Sequence, residues 1–343
     1  MKPIKKVGIK GYGAYIPRYR LPTKDISRIW KGSGREVNEE KSIAGIDEDS
    51  CTMAVEAARR ALVMAKVDNL GAIFVGTESK PYAVKPTSTI VAEALGKRRV
   101  LASDFEFACK AGTEAMQCII GLVGSGMIEN GLAIASDTAQ GRPNDELEYT
   151  ASSGAVAYVI SELSDCIAEI EYTLSYVTDT GDFWRRQGQE YPRHLGRFTG
   201  EPAYLHHTLK ATGLILEETN SKPSDFDYVV FHQPNPKFPL EAGKRLGFKE
   251  SQMLKGLLNP LIGNTYAASA LLGLARVLDD AKPDERILLV SFGSGAGSDA
   301  IILRVLNGID EKRKGHLRIE EMIKERIEVD YSLYAKFRGK LKV

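Results

Sequence analysis

Short apolar runs alternate with longer stretches of helical character along the chain, the pattern of an α/β fold. Gly71–Thr77 (GAIFVGT), Gly131–Asp137 (GLAIASD), Tyr228–Gln233 (YVVFHQ) and Arg286–Phe292 (RILLVSF) are predicted to be buried strands. The spacing predicts an amphipathic helix over Thr52–Lys66, with Asp49 and Ser50 placed to cap it. Further helices are predicted over Glu114–Val123 and Tyr266–Leu278. The opening, MKPIKKVGIKGYGAYIP, starts basic and passes directly into a strand-like alternation.

The order of these elements repeats. A strand ending at Glu78 is followed 31 residues later by Cys109, and a strand ending at His232 is followed 32 residues later by Asn264. Behind Cys109 and Asn264 alike come a helix and then a strand, near Gly131 in one case and Arg286 in the other. Each of those strands leads to a small-residue turn and another apolar run, Ser152–Ile160 (SSGAVAYVI) and Gly293–Leu303 (GSGAGSDAIIL). Several matches in register indicate an internal duplication. It divides the chain into 1–165, with Glu78 and Cys109; 166–310, with His232, Asn264 and a glycine-rich loop; and a charged C-terminal tail, 311–343. If the halves pack as a pseudo-dimer, these four residues lie past strand ends or at helix starts, where open α/β sheets place ligands.

Composition removes several functional classes. At 343 residues the chain can bury a large core. Charged residues are 27% and the net charge is +1, so neither nucleic acid nor a strongly acidic partner is expected. The four cysteines, Cys51, Cys109, Cys118 and Cys166, show no CxxC pair and no His-rich spacing. Neither a metal site nor a disulfide framework is therefore expected, and a reducing cytoplasm fits. No apolar run is long enough to cross a bilayer, and the N-terminus lacks the apolar block of a signal peptide, so no membrane association is expected. From Asp310 to Val343, Lys and Arg alternate with Glu and isolated apolar positions, which predicts a solvated helix and tail.

Cys109 stands in Phe107–Thr113 (FACKAGT), at the mouth of a predicted helix. Unpaired N–H groups and the positive dipole end there favour a thiolate able to capture an acyl group. Gly112, with Ala108 and Ala111, would let a substrate come close to the sulfur. The other reading is a core cysteine, since free Cys is often buried; Cys118, further along the same helix, is expected in the core. Glu78, in Val75–Ser79 (VGTES), follows a buried strand. Partial desolvation there raises a carboxyl pKa and makes a general base, although a lone Glu is more often a solvated loop residue. His232, in Phe231–Lys237 (FHQPNPK), can polarise a carbonyl or shuttle a proton near neutral pH, or simply satisfy a backbone partner. Asn264, in Gly263–Ser269 (GNTYAAS), is either a helix cap or a donor to a reacting oxygen. Ser291–Ala300 (SFGSGAGSDA) has the wrong spacing for a dinucleotide fingerprint; a tight turn lending N–H groups to an oxyanion fits better.

The ordered set VGTES, FACKAGT, FHQPNPK, GNTYAAS and SFGSGAGSDA resembles the 3-hydroxy-3-methylglutaryl-CoA (HMG-CoA) synthase family of the thiolase superfamily. The opening VGIKGYGAYIPRYRLP and the short length are similar to its archaeal branch, and the resemblance runs from about Val7 to about Val305. It implies an α/β thiolase-like fold, five αβαβα layers built from two duplicated halves. It also implies a reaction: Cys109 is acetylated by acetyl-CoA, and Glu78 takes a proton from the acetyl methyl group. The enolate adds to acetoacetyl-CoA polarised by His232, and water releases HMG-CoA, a precursor in the mevalonate pathway. Asn264 and Ser294 are implied to hold the acyl portion, and Thr150, Arg197, Thr199 and Lys237 to contact CoA or the acyl chain. CoA thioesters are substrates, and no cofactor is implied.

Two positions depart from the family pattern. Lys110-Ala111-Gly112 stands where bacterial and eukaryotic members carry Tyr-Gly-Gly, and Glu241 stands at a lysine of the eukaryotic CoA site, with Lys244 one turn on. The resemblance further implies a homodimer, and a complex with an acetoacetyl-CoA thiolase and a zinc-ribbon/OB-fold protein. An initiating-type ketoacyl-ACP synthase shares Cys, His and Asn and is the rival reading, with Glu78 as the discriminating residue. A non-catalytic scaffold of the same fold is the third.

Overall fold

The computed structural model describes residues 1–31 and 36–341, with the Arg197 side chain outside the description. Nine strands form one large mixed sheet: β1 Val7–Tyr15, β2 Ala72–Gly76, β3 Leu101–Phe105, β4 Asn130–Asp137, β5 Gly154–Glu162, β6 Ala168–Val177, β7 Tyr228–Phe231, β8 Arg286–Val290 and β9 Gly297–Val305. Their spatial order is β7-β8-β9-β6-β1-β5-β4-β2-β3. Read outward from the centre, β1-β5-β4-β2 matches β6-β9-β8-β7 strand for strand. In each series the first two junctions are antiparallel and the last is parallel. The two series meet only where Gly8 and Ile9 of β1 pair with Glu169 and Ala168 of β6. A fifth strand, β3, extends the first series alone and forms one edge of the sheet.

Four helices complete the layers: α1 Ser50–Ala65, α2 Ala111–Gly124, α3 His206–Glu218 and α4 Ser269–Leu278. Alternate residues of each strand face opposite layers, which is why the strands read as unbroken apolar runs. On β2, Ile73 and Val75 pack outward with Ala54, Ala57 and Ala61 of α1, while Ala72 and Phe74 turn inward. On the second series, Leu288, Val290, Ala300 and Ile302 pack outward with Ala211 and Ile215 of α3. Between the two series lies the largest core, where Ala115, Met116 and Ile119 of α2 share one cluster with Leu271, Leu274 and Leu278 of α4. The stack is therefore helix, sheet, helices, sheet, helix, in agreement with the expected five layers.

The charged tail departs from expectation. Its isolated apolar residues are docked: Ile319 and Met322 join the central core, and Val329 and Tyr334 bury beside Leu21, Ile26, Ile43 and Tyr149. The short strand Ile327–Glu328 pairs in parallel with Tyr19–Pro22. Charge density hid a segment that buries Ile319, Met322, Val329, Tyr334 and Ala335 among many exposed charges.

Candidate active site

Both halves deliver their chemistry from equivalent places. Glu78 lies just past the C-terminal end of β2, and His232 immediately past β7. Cys109 precedes α2, and Asn264 precedes the 3-10 turn Tyr266–Ala268 that leads into α4. Cys109, Thr150, Thr199, His232, Asn264 and Ser294 line one cavity of about 350 Å³, together with Phe183, Phe238 and Tyr266. Glu78 borders a second, smaller pocket behind that cavity, and Ser294 and Phe183 line both. Lys237 is exposed at the start of the helix Lys237–Leu246, outside the cavity lining. Glu241 on that helix accepts from Arg245 Nε at 2.7 Å.

One residue that the motifs did not single out ties these loops together. Asp137, at the end of β4, is fully buried. Its Oδ1 accepts from the Glu78 backbone N–H (2.8 Å), Ser79 Oγ (2.6 Å) and Thr77 Oγ1 (3.0 Å); its Oδ2 accepts from the Ala267 backbone N–H (3.0 Å). A single carboxylate thus clamps the turn bearing Glu78 to the turn following Asn264. An Asp closing the strand just past the apolar run Leu132–Ala135 was the sequence signal for it.

The Cys109 turn is held from both sides. Ala108 adopts the left-handed conformation (φ 48°), and a side chain on Gly293 would lie 2.6 Å from the Phe107 carbonyl oxygen, so only glycine brings the second glycine-rich turn this close. The neighbouring Lys110 is fully buried, with Nζ 3.0 and 3.1 Å from the Asp299 carboxylate oxygens, 3.6 Å from the centre of the Phe107 ring, and also paired with Glu114. Thr113 and Ser175 donate to the same Asp299 at 2.6 and 2.8 Å. Lys110, where the family pattern carries Tyr, is therefore an internal brace between the halves. Gly112 serves packing rather than access: a Cβ there would meet Ala135 at 2.5 Å and Leu271 at 2.8 Å. Cys118 is partly exposed on α2 rather than in the core.

Electrostatics correct two expectations. The first residue of α2 is Ala111, two past the sulfur, and Cys109 is buried beside Glu78. Burial, then the Glu78 carboxyl, push the thiol well above its ordinary range, so it rests protonated rather than as a dipole-stabilised thiolate. His232 is buried among Tyr204 and Phe292, and desolvation takes its pKa down to about 3, so it is a neutral imidazole and not a shuttle near neutral pH. Glu78 moves as expected: burial, then Asp137, raise it to about 8. Asp137 itself is raised by burial to about 6.

The His232 loop is fixed less by its prolines than by Gln233. Gln233 Oε1 accepts from the Leu258 and Asn259 backbone N–H groups at 2.7 and 2.9 Å, and its Nε2 donates to the Gly256 carbonyl at 2.6 Å. Tyr204 Oη donates to the His232 carbonyl at 2.7 Å. Asn264 makes the contact its capping reading requires. Its Oδ1 caps the Tyr266 N–H at 3.0 Å, which leaves Nδ2 as the group available to the cavity. Its backbone pairs across the halves with Thr150 and Ser152. Tyr266, itself left-handed (φ 50°), buries an unpartnered hydroxyl close to Glu78 and Cys109. Thr199 Oγ1 is likewise buried without a protein partner. Arg197 has its side chain outside the described residues. Among the described residues no group of His, Cys, Asp and Glu is placed to hold a metal ion, and no helix is long and apolar enough to cross a membrane.

Across nearly its full length the chain is 56% identical to hydroxymethylglutaryl-CoA synthase of Pyrococcus furiosus, covering 99% of this chain and 98% of that one. It belongs to the hydroxymethylglutaryl-CoA synthase family. The Methanothermobacter thermautotrophicus member is 54% identical, covering 98% of this chain and 99% of that one. Within the family, the solved structure of MvaS in complex with 3-hydroxy-3-methylglutaryl coenzyme A superimposes with a TM-score of 0.87 at 22% identity, covering 98% of this chain and 92% of that one. Residues 216–305 match the C-terminal family model of 3-oxoacyl-[acyl-carrier-protein] synthase III. The structure of that enzyme from Pseudomonas aeruginosa superimposes with a TM-score of 0.80 at 20% identity, covering 88% of this chain and 99% of that one. These likenesses show a thiolase-like fold.

Proposed function

We propose that this chain condenses acetyl-CoA with acetoacetyl-CoA and water to give HMG-CoA and CoA through an acetyl-Cys109 intermediate. The observation that carries this reading is the position of Glu78, a buried carboxyl with a pKa near neutrality set against the Cys109 thiol. In the first stage Cys109 Sγ attacks the acetyl carbonyl carbon, its proton passes to a neighbouring base, and CoA leaves as the thiol. In the second stage Glu78 removes a proton from the acetyl methyl group, the carbanion adds to the acetoacetyl ketone, and the resulting alkoxide takes up the proton that Glu78 holds, which restores the carboxylate. A neutral His232 suits that step: it carries an N–H to polarise the ketone and has no charge to compete with Glu78 for the proton. Asn264 Nδ2 and Ser294 hold the acyl oxygen, and Thr150 and Thr199 offer hydroxyls along the channel. Arg197 and Lys237 are assigned, on the resemblance, to contacts with CoA or the acyl chain.

A decarboxylating ketoacyl synthase would make its carbanion by losing carbon dioxide and has no use for a base at position 78. For that reason the condensing reading is preferred to it, and to a non-catalytic scaffold. The reaction draws on no resident cofactor. The open edge of β3, where Leu101 is 54% exposed, supports pairing with a second copy into a homodimer. A complex with an acetoacetyl-CoA thiolase and a zinc-ribbon/OB-fold protein rests on the resemblance alone, and a cytoplasmic setting on four unpaired cysteines. The test is to incubate the protein with acetyl-CoA and acetoacetyl-CoA and weigh both product and protein. HMG-CoA, with an acetyl adduct that Cys109→Ala removes, is expected; an adduct surviving that substitution rejects the assignment.

A further inference from the structure

Glu78 lines a chamber other than the substrate cavity. That chamber is the pocket of about 220 Å³ bordered by Lys80, Gln140, Arg185 and Pro192. Cys109 and His232 line only the front cavity and Glu78 only the rear pocket, while Phe183 and Ser294 line both and mark where the chambers adjoin. Glu78 Oε1 is buried and accepts no hydrogen bond from the described residues. A buried carboxyl oxygen in that state calls for a donor. The pocket wall is polar: Lys80 pairs with Glu106, and Gln140 Nε2 and Arg185 Nη2 donate to the Glu78 carbonyl at 3.1 and 3.3 Å. Its volume exceeds severalfold the ~30 Å³ a water molecule occupies in the liquid.

We infer that the rear pocket is a water site that supplies the hydrolytic step, separately from the channel that admits CoA thioesters. The inference rests on the reaction proposed above. Once the new carbon–carbon bond exists, the acyl chain is bonded to Cys109 Sγ at one end and to CoA at the other. The CoA arm therefore still fills the front cavity when the Cys109 thioester has to be cleaved. Water held beside the Glu78 carboxyl reaches the thioester from the other side. Its oxygen adds to the carbonyl carbon and Glu78 takes a proton from it. The carbon–sulfur bond then breaks, the sulfur leaves with the proton Glu78 held, and the product carries a carboxyl group. Acetyl-enzyme alone is in a different position, because its front cavity is open and water can reach the thioester that way.

Filling the rear pocket by Lys80→Trp, and independently by Pro192→Trp, tests this. Preformed acetyl-enzyme is mixed with acetoacetyl-CoA, quenched at successive times and weighed intact. Acetylation and the disappearance of acetyl-enzyme should match the unmodified protein, which also shows that the variants fold. A species bearing the whole condensed acyl-CoA should accumulate, and product release should slow at least about ten-fold, equivalent to ~1.4 kcal/mol on that barrier. Lys80→Ala, which removes bulk, should release product at the unmodified rate, and loss of acetyl from acetyl-enzyme without acetoacetyl-CoA should be unchanged in all variants. Unslowed release in both filled variants, or accumulation of acetyl-enzyme in place of the condensed species, overturns the inference. An unmodified protein that forms no acetyl adduct overturns the reaction reading and this inference with it.

Discussion

The two halves present the same strand ends and helix starts to two adjoining cavities, yet arm them with opposite proton chemistry. In the first half burial raises both groups, Glu78 to about 8 and the Cys109 thiol well upward. In the second half burial lowers His232 to about 3, and Asn264 does not titrate at all. One physical cause, loss of water, thus acts on acids in one half and on a base in the other, and both move toward neutrality. A duplicated scaffold can therefore divide labour by residue type alone: the first half exchanges protons and forms bonds, while the second half offers donors that keep theirs.

The sharpest break of that division is Glu78→Ala. Condensation should fall about a hundred- to ten-thousand-fold, the usual effect of removing a general base. Acetylation should persist, because the second-half donors remain and a carboxyl that raises the Cys109 thiol pKa is gone. Following both half-reactions in one preparation checks this, and near-normal condensation would return Glu78 to the status of a turn residue.

The halves also depend on each other mechanically, through Lys110 of the first and Asp299 of the second. Lys110→Met leaves Asp299 buried without its cation and should cost about 3–5 kcal/mol of unfolding free energy in urea. Lys110→Met with Asp299→Leu should regain much of that loss, whereas equal losses in single and double variants would show that the pair does not act as a unit.

A smaller effect sharpens the electrostatic contrast. Glu78 acts as a base only when ionised, so single-turnover condensation should rise with pH through about 8 and then level. His232, with its pKa near 3, should add no limb between pH 5 and 9. Asp137 is among the causes raising Glu78, so Asp137→Asn should move the limb to lower pH. A limb that stays in place would assign the shift to burial alone. The smallest change expected is from Lys237→Ala. An exposed charge contact of ~0.5–1 kcal/mol should raise KM for the CoA substrates about two- to five-fold and leave the saturated rate unchanged.

Much of this was legible in the chain because α/β strands buried on both faces leave unbroken apolar runs. Residues that end such runs, among them Glu78 and His232, are the ones aimed at ligands. Convergence of the four loops could be read from the repeated spacing, since equal spacing on a duplicated scaffold gives equivalent positions. The protonation states could not. The helix-mouth argument for Cys109 considers only the local dipole, and the buried carboxyl next to it comes from a segment 31 residues away. Asp137 and Gln233 were missed for a related reason. Their importance lies in hydrogen bonds to backbone groups far along the chain, and a backbone N–H has no sequence signature. The docked tail was obscured by its charge density, because a few buried residues are easily outnumbered by the Lys, Arg and Glu that face solvent.

Asp137 and Lys110 differ in what they demand of the opposite half. Asp137 grips a main-chain N–H at Ala267, a group that every residue except proline supplies. Lys110 grips a side chain, Asp299. In a chimera that joins residues 1–165 of this chain to the second half of a diverged relative, the Glu78 turn would still find its anchor, whatever residue other than proline the relative carries at position 267. The nucleophile turn would be sound only if the donor brought its own acid to position 299. The part of the site that aligns the base is thus portable between lineages, whereas the part that seats the sulfur must be inherited as a matched pair.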